Sequence, residues 1–473
     1  MNKSAAIPLC VDLDGTLVKL DTLHQAVFLL LRRDPASALK IPGWLLKGKA
    51  RLKDEVMSRV TLDATALPYN TQLLDWLKKE KAAGRKLILA TASNYRTANA
   101  VAEHLGLFDE ILASNEETNL RHGRKLEAIQ ERYPRFGYAG NDVADFPIWD
   151  AADEIILANP NTPSKRGYAV KADHIFVEQR PIGRMFVKAM RCHQWLKNML
   201  IFSPMLLAHR FLELGTWIQA AVAFASFSLA ASSIYVLNDL FDLSADQHHP
   251  RKRKRPFAAG DLPIAVGALL TPLLVILSFL LCALLPVAFL WTLIAYYVLT
   301  TAYSWRLKQM PVADALTLAV LYSMRIVAGA TATNTIASGW FIEFAIFLFL
   351  SLALVKRVSE LKEMEGNAEI DQANRERGYQ VGDLPLLLAF GAAAGYIAVF
   401  VFTMYLGSDK VLELYSRPQF LWAFCPLLLY WITRVWHLAW RGRMDDDPVA
   451  FAARDAQTYL VGAIGVAALL YAI

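Results

Sequence analysis

Paired cysteines are missing from this chain. Its four, Cys10, Cys192, Cys282 and Cys425, are scattered without paired spacing, so they imply neither a disulfide framework nor a zinc site. Also missing is a basic, apolar leader ending at a small-residue cleavage site, so the first domain is expected to stay in the cytoplasm. The chain has too few polar residues for an ordinary soluble protein: 55% of its 473 residues are apolar, and the length accommodates two domains. The formal charge of +6 comes mostly from loops between apolar segments. It therefore points to membrane orientation and phosphate ligands and away from nucleic acid.

The apolar residues are unevenly spread. Up to about Arg184 short apolar runs alternate with charges, as in a soluble α/β domain. Beyond it, apolar segments of membrane-spanning length follow one another, and nine spans are predicted: 195–212, 216–238, 264–284, 286–304, 312–332, 338–356, 384–407, 419–438 and 456–473. With the first domain in the cytoplasm, the inward loops hold the basic run Arg251 to Arg255, then Arg306, Lys308, Arg357, Lys362, Arg375, Arg377, Arg441 and Arg443. The outward loops hold little beyond Arg210, Lys410 and Arg417. This bias agrees with the positive-inside rule and predicts a multi-pass inner-membrane protein with a cytoplasmic N-terminal domain. Domain limits are drawn at 1–165 and 186–473, with 166–185 as linker.

In the first part, "AIPLCVDLDGTLV" reads as a buried strand, Ile7 to Val11, that delivers Asp12 and Asp14 into a loop eased by Gly15. Two carboxylates at a strand end can divide labour, one attacking phosphorus and the other protonating the leaving oxygen. A second strand, in "KLILATASN", ends with Thr91, a hydrogen-bond donor for a phosphoryl oxygen, and Lys125 can neutralise carboxylate and phosphate together. "YAGNDVADFPIWDAAD" brings Asp142 and Asp145 after another apolar strand, oxygen ligands suited to Mg²⁺.

In the second part, "NDLFDLSADQHHPRKRKRP" leaves the membrane at Asn238. Asn238, Asp242 and Asp246 recur at i, i+4 and i+8, and Asp239 lies three before Asp242, so all four share one broad helical face. Carboxylates so crowded repel unless a cation holds them, and Mg²⁺ with a substrate's phosphates is the natural resolution. Pro250 stops the helix, and Lys252, Lys254 and Arg255 can reach phosphate oxygens left uncompensated. An ordinary cytoplasmic loop explains the cations but not the acids or their spacing.

The four motifs of the first part, in this order over about residues 5–160, resemble the haloacid dehalogenase superfamily of phosphatases, with the helical stretch 22–70 as a small cap. That resemblance implies an α/β Rossmann-like haloacid dehalogenase fold, with Asp12 as nucleophile and Asp14 as acid/base. It also implies Thr91 and Lys125 as phosphate ligands and Mg²⁺ on Asp12 and Asp145, with Asp14 and Asp142 as further oxygen ligands. One departure is Asn141, where the family usually has an acid; a catalytically quiet domain is the plainer alternative.

The aspartate motif and the span pattern over about 185–473 resemble the UbiA superfamily of intramembrane transferases, which implies an all-α integral membrane bundle of nine transmembrane helices. "RCHQWLKN", "HPRKRKRPFAAG", "YSWRLK" with Asp314, "MRIVAGA" and "VKRVSEL" are similar to the decaprenyl-phosphate phosphoribosyltransferase branch of it. The second aspartate-rich motif of aromatic prenyltransferases is missing after the sixth span, where "KRVSE" puts Lys356 and Arg357 beside Glu360. The resemblance implies phosphoribosyl diphosphate and a polyprenyl phosphate lipid as substrates, with Mg²⁺ on Asp239, Asp242, Asp246 and Asn238 and Asp314 as a further ligand. Lys308 then stabilises the departing diphosphate, and Tyr303, Arg191, Lys197 and Arg325 are candidates for the remaining phosphates, with the pairing left open.

Each of these has a plainer role. Arg191 and Lys197 can snorkel, Trp195 and Tyr303 can anchor at the interface, Arg325 can pair with Glu343, and the small residues of "FGAAAGY" can serve helix packing. An aromatic prenyltransferase is the alternative within the superfamily. A transporter fits less well, because the charged motifs gather on one side and not at the midplane. Oligomeric state is left open.

Overall fold

The computed structural model describes residues 7–114, 120, 123–178, 181–364, 378–444 and 448–473; Arg375 and Arg377 lie outside them. The chain forms two compact units, Met1–Arg191 with Tyr235–Leu273, and Cys192–Ile234 with Leu274–Ile473.

The first unit is built on a six-stranded sheet: β1 (Leu9–Val11), β2 (Leu87–Asn94), β3 (Glu110–Ser114), β4 (Gly137–Gly140), β5 (Glu154–Ala158) and β6 (His174–Phe176). Their spatial order is β3-β2-β1-β4-β5-β6, and every pairing is parallel. β1 and β4 carry no exposed residue, as interior parallel strands covered on both faces must. The parallel α/β domain expected from the sequence is therefore present, and β6 extends the sheet into 166–185. The chain runs outward from β1 to β2 and β3, then returns to β4 on the other side. This places the topological switch point between β1 and β4, where doubly wound sheets bind ligands at the strands' carboxyl ends.

Between β1 and β2 lie α1 (Thr22–Arg33), two short helical turns, α2 (Lys49–Met57), a third short turn and the helix Thr71–Ala82. Ala26 and Leu30 of α1 close a small core with Leu52, Val56 and Met57 of α2. Asp21 caps α1 by accepting from the His24 N–H at 3.1 Å. Further on come α3 (Gly123–Gln130), α4 (Leu214–Phe241) and α5 (Leu243–His248).

The second unit is helical. It contains most of α4 and the end of α6 (Ile264–Cys282), then α7 (Val287–Trp305), α8 (Ala313–Ala332), α9 (Gly339–Met364), α10 (Leu384–Leu406), α11 (Phe424–Trp440) and α12 (Ala456–Ala472). Leu354, Leu387 and Trp436 bring α9, α10 and α11 into one core. The small residues of α10 are packing sites. A Cβ on Gly391 would lie 2.1 Å from the Trp436 ring, and one on Gly395 would lie 2.7 Å from Ile432 Cγ2.

Among the described residues, five helices are long and apolar enough to cross a membrane, those containing α4, α6, α7, α8 and α10. They coincide with five of the nine predicted spans: 216–238, 264–284, 286–304, 312–332 and 384–407. Residues 195–212 form a 3₁₀ segment, Cys192–Phe202, followed by the short helix Ser203–Leu207 with Pro204 near its start, so no continuous helix spans them. α9 runs on through Lys356, Arg357 and Glu360 beyond its apolar part. The 419–438 segment opens as a 3₁₀ turn, Pro418–Ala423, and leaves α11 with 17 residues, the same number as α12.

Candidate functional site

In the first unit, the residue after β1 is Asp12, and the loop after β4 carries Asp145. Lys125 of α3 sits between them, with Nζ 3.3 Å from Asp12 Oδ1 and 3.4 Å from Asp145 Oδ1. Tyr138 on β4 completes the group, accepting from Lys125 Nζ at 2.6 Å and donating to Asp145 Oδ1 at 2.8 Å. The other Asp145 oxygen accepts from the Asn141 and Asp142 N–H groups at 3.0 and 3.1 Å.

Burial pushes the Asp12 carboxyl up to about 7, against the pull of Lys125, with repulsion from Asp145 and Asp14 adding. Burial alone would lower the Lys125 pKa, but the charges of Asp12 and Asp145 outweigh it and raise it, so the ammonium stays charged.

Asp14 faces a different set of donors. It accepts from the Thr22 N–H at 2.9 Å and from the Ser93 hydroxyl. Burial raises its pKa, with the charge of Asp21 adding and these hydrogen bonds opposing. Thr91, buried within β2 and not at its end, accepts from the Ser93 N–H at 3.0 Å. Gly15 is required where it stands: its φ is +75°, and a Cβ there would meet Asn141 Nδ2 at 2.3 Å. Asn141 lies over the DxDGT loop and accepts from the Thr16 hydroxyl at 3.3 Å. Asp142 is turned to Asn161 and to the Val143 N–H.

The aspartate-rich segment of the same unit keeps its helical register through the turn at Asp242. The Asp242 N–H donates to Asn238 O and the Asp246 N–H to Asp242 O, both at 2.8 Å. The buried Asp239 and Asp246 share Arg255, whose Nη1 lies 3.1 Å from Asp239 Oδ1 and 2.7 Å from Asp246 Oδ2. Asp239 also accepts from Arg191, which stacks on Tyr235. Asp242 pairs instead with Arg32 of α1, at 2.7 Å. Burial pushes Asp246 up to about 6, opposed by Arg255 and aided by Asp239. Lys252 adds to the positive field at Asp246, while Lys254 is exposed and its carbonyl accepts from Lys188 at 2.7 Å.

Among the described residues no group of three or more His, Cys, Asp or Glu side chains converges as a metal cluster. Carboxylate pairs share one cation instead, Asp12 with Asp145 and Asp239 with Asp246. Mg²⁺ takes one or two carboxylates and completes its shell with water and substrate phosphate, so both pairs suit it.

In the second unit, Arg357 donates from Nε to Asp314 Oδ2 at 2.5 Å, to Glu360, and from Nη2 to the Tyr303 hydroxyl at 3.4 Å. Tyr379 donates to the other Asp314 oxygen at 2.6 Å. Asp314, Tyr303 and Arg357 are thus brought together. Lys308 is in a short 3₁₀ turn, Leu307–Gln309, and Lys356 precedes Arg357 on α9. Arg325 is buried, donates to Asn198 Oδ1 at 2.8 Å and to Leu321 O, and lies against the Phe227, Tyr296 and Tyr322 rings. The Arg325–Glu343 pair considered from the sequence is not formed among the described residues. Lys197 lies over Tyr322, and Trp195 donates to Ser232 at 2.9 Å.

Sequence reasoning missed Ser93, Tyr138 and Arg32. Ser93, two residues beyond Thr91, carried a local signal as a second hydroxyl at the same strand end; Tyr138 and Arg32 carried none.

A parallel α/β domain followed by apolar helices with charged segments defines a multi-pass membrane protein with an appended α/β domain. The chain belongs to the UbiA prenyltransferase family, whose model matches residues 199–461, and it is a membrane transferase of that family. An uncharacterized protein of Sinorhizobium fredii is 34% identical over 98% of this chain and 91% of its own length. The decaprenyl-phosphate phosphoribosyltransferase of Corynebacterium glutamicum is 36% identical over 37% of this chain and 54% of its own. A solved UbiA homologue from Archaeoglobus fulgidus, bound to DMAPP and Mg²⁺, covers 60% of this chain and 96% of its own at 16% identity and a TM-score of 0.44.

Proposed function

We propose that the protein transfers phosphoribose from phosphoribosyl diphosphate to a polyprenyl phosphate, and that its N-terminal domain, read as a haloacid dehalogenase-type phosphatase, removes the 5′-phosphate of the product. The observation that carries the first half is the partial identity to a decaprenyl-phosphate phosphoribosyltransferase. It is supported by Lys356 and Arg357 standing where aromatic prenyltransferases place a second acidic motif. The positive-inside bias supports a cytoplasmic N-terminal domain.

In transfer, an oxygen of the lipid phosphate attacks ribose C1, forming the new C1–O bond as the bond to diphosphate breaks. The nucleophile is already anionic and needs no base. Asp239, Asp242 and Asp246, with Asn238, would hold Mg²⁺, which supplies charge neutralisation to the diphosphate when bound. Lys308 stabilises charge on the departing oxygen, and Arg255 and Lys252 hold the segment's carboxylates and phosphates in one field. Arg325 is better accounted for as a structural cation satisfied by Asn198 and three rings.

In dephosphorylation, an Asp12 oxygen attacks phosphorus and the 5′-oxygen leaves with a proton from Asp14, whose raised pKa suits an acid. Water then attacks the aspartyl phosphate, with Asp14 taking its proton. Lys125 holds the Asp12 charge and the phosphoryl oxygens, and Asp145 with Asp12 would hold Mg²⁺ there.

Membranes containing the protein, given labelled phosphoribosyl diphosphate or labelled prenyl diphosphate, test the reading. Label from the first donor is expected in the lipid fraction; label passing only from the second to an aromatic acceptor overturns it.

A further inference from the structure

Helix α1 touches both acidic centres of its unit. At its start, the Thr22 N–H donates to Asp14 at 2.9 Å, and the Thr22 hydroxyl lies 3.5 Å from that of Ser93, the other partner of Asp14. At its end, Arg32 Nη1 lies 2.7 Å from Asp242 Oδ1 and 3.2 Å from the Phe241 carbonyl.

Between these ends, Gln25 donates to Gln247 Oε1 at 2.7 Å, with a longer return bond of 3.4 Å, and both residues are buried. Phe28 meets Phe241 edge-on with centroids 5.8 Å apart. Gln25, Phe28 and Arg32 recur at i, i+3 and i+7, so one stripe of α1 is given to the aspartate-rich segment. Buried amides are costly unless their partners stay in place, so this seating is a fixed contact. The helix is a stiff rod about 18 Å long with one end on each centre.

The partners of the three aspartates divide in a telling way. Asp239 and Asp246 share Arg255, which is near in sequence, whereas Asp242 draws Arg32 from the N-terminal α/β domain. A divalent ion and a guanidinium on one carboxylate compete for the same charge.

We propose that Arg32 is a displaceable counter-ion of Asp242, through which α1 couples occupancy of the aspartate-rich site to the hold on Asp14. This rests on the metal-binding reading of Asp242 given above. Loading that site releases Arg32, and release loosens the end of a helix whose other end fixes the DxD loop. By linkage, ligand on the DxD loop alters affinity at Asp242 by the same factor. Because the Arg32–Asp242 pair is partly exposed, the effect is modest, about three- to fivefold in affinity.

The test uses the purified full-length chain in detergent, with Mn²⁺ as probe and free Mn²⁺ counted by paramagnetic resonance. Asp242→Asn and Asp12→Asn each remove one class of site and so assign the two. Arg32→Gln is expected to tighten Mn²⁺ three- to fivefold at the site that Asp242→Asn removes, and Arg32→Lys to retain the wild-type value. Inorganic diphosphate at the Asp242 site is expected to shift Mn²⁺ affinity at the Asp12 site in wild type and not in Arg32→Gln. Unchanged or weaker Mn²⁺ binding in Arg32→Gln, with Asp242→Asn still losing its site, overturns the coupling alone. Full Mn²⁺ binding in Asp242→Asn overturns the metal reading itself.

Discussion

Arg357 and Asp314, on α9 and α8, form a buried ion pair at 2.5 Å, with Tyr379 donating to the carboxylate's second oxygen at 2.6 Å. Breaking a buried pair from one side leaves the other charge uncompensated, at a cost of about 3–5 kcal/mol. Asp314→Ala is therefore expected to lower the unfolding midpoint of the detergent-solubilised protein strongly, with the helical unit failing first. Unfolding indistinguishable from wild type would show that Glu360 alone satisfies Arg357.

The aspartate-rich segment is expected to fail differently. Asp246→Asn keeps the shape of the side chain and its contact with Arg255 while removing metal charge, so transfer is expected to stop while folding and insertion persist. Activity at ordinary Mg²⁺ close to wild type would exclude Asp246 as a ligand.

The two chemistries are expected to separate. Asp12 follows β1 and Lys125 sits on α3, in an α/β domain with its own core around Ile88, Tyr138 and Trp149, so Asp12→Asn should leave phosphoribosyl transfer running. It should also let the 5′-phosphorylated lipid persist, where wild type accumulates the dephosphorylated form. Chromatography of the lipid products distinguishes the two. Complete loss of transfer in this variant, beyond the effect of about three- to fivefold from the coupling through α1, would contradict the separation.

The Asp63–His248 pair gives a pH signature. The Ser244 carbonyl first, and then Asp63 at 2.7 Å, raise the His248 pKa; His248 first, with Thr65, holds Asp63 down to about 2. The raised His248 pKa contributes stability that is fully present below about 6.5 and is lost as pH rises through the folded value. The depressed Asp63 pKa contributes above its usual range, about 3.9, and is lost only as pH falls through about 2. Both groups are half exposed, so His248→Gln is expected to cost under about 1 kcal/mol near pH 6 and nothing near pH 9 in thermal unfolding. An equal effect at both pH values would remove the charge from the account.

Much of the first unit was legible because its signals are local. An apolar run followed by DxDGT gives a buried strand and two carboxylates, and Lys125 and Asp145 follow similar cues. Tyr138 was not legible, since a tyrosine inside an apolar strand reads as core until its hydroxyl is placed between Lys125 and Asp145. Arg32 was illegible for a related reason: no periodicity links it to Asp242, 210 positions later. In the helical unit, hydropathy found the long helices but could not tell a continuous span from the 3₁₀ segment before Pro204. It also missed that Arg325 would be satisfied by Asn198, because an amide 127 positions away leaves no mark on the apolar pattern.

The most direct test of the central claim is mass spectrometry of the lipids made by purified protein given polyprenyl phosphate, Mg²⁺ and phosphoribosyl diphosphate. The account predicts a polyprenyl-phosphoryl ribose, carrying its 5′-phosphate in Asp12→Asn and lacking it in wild type. Unmodified polyprenyl phosphate, together with a prenylated aromatic product when prenyl diphosphate and an aromatic acceptor are supplied, would contradict it.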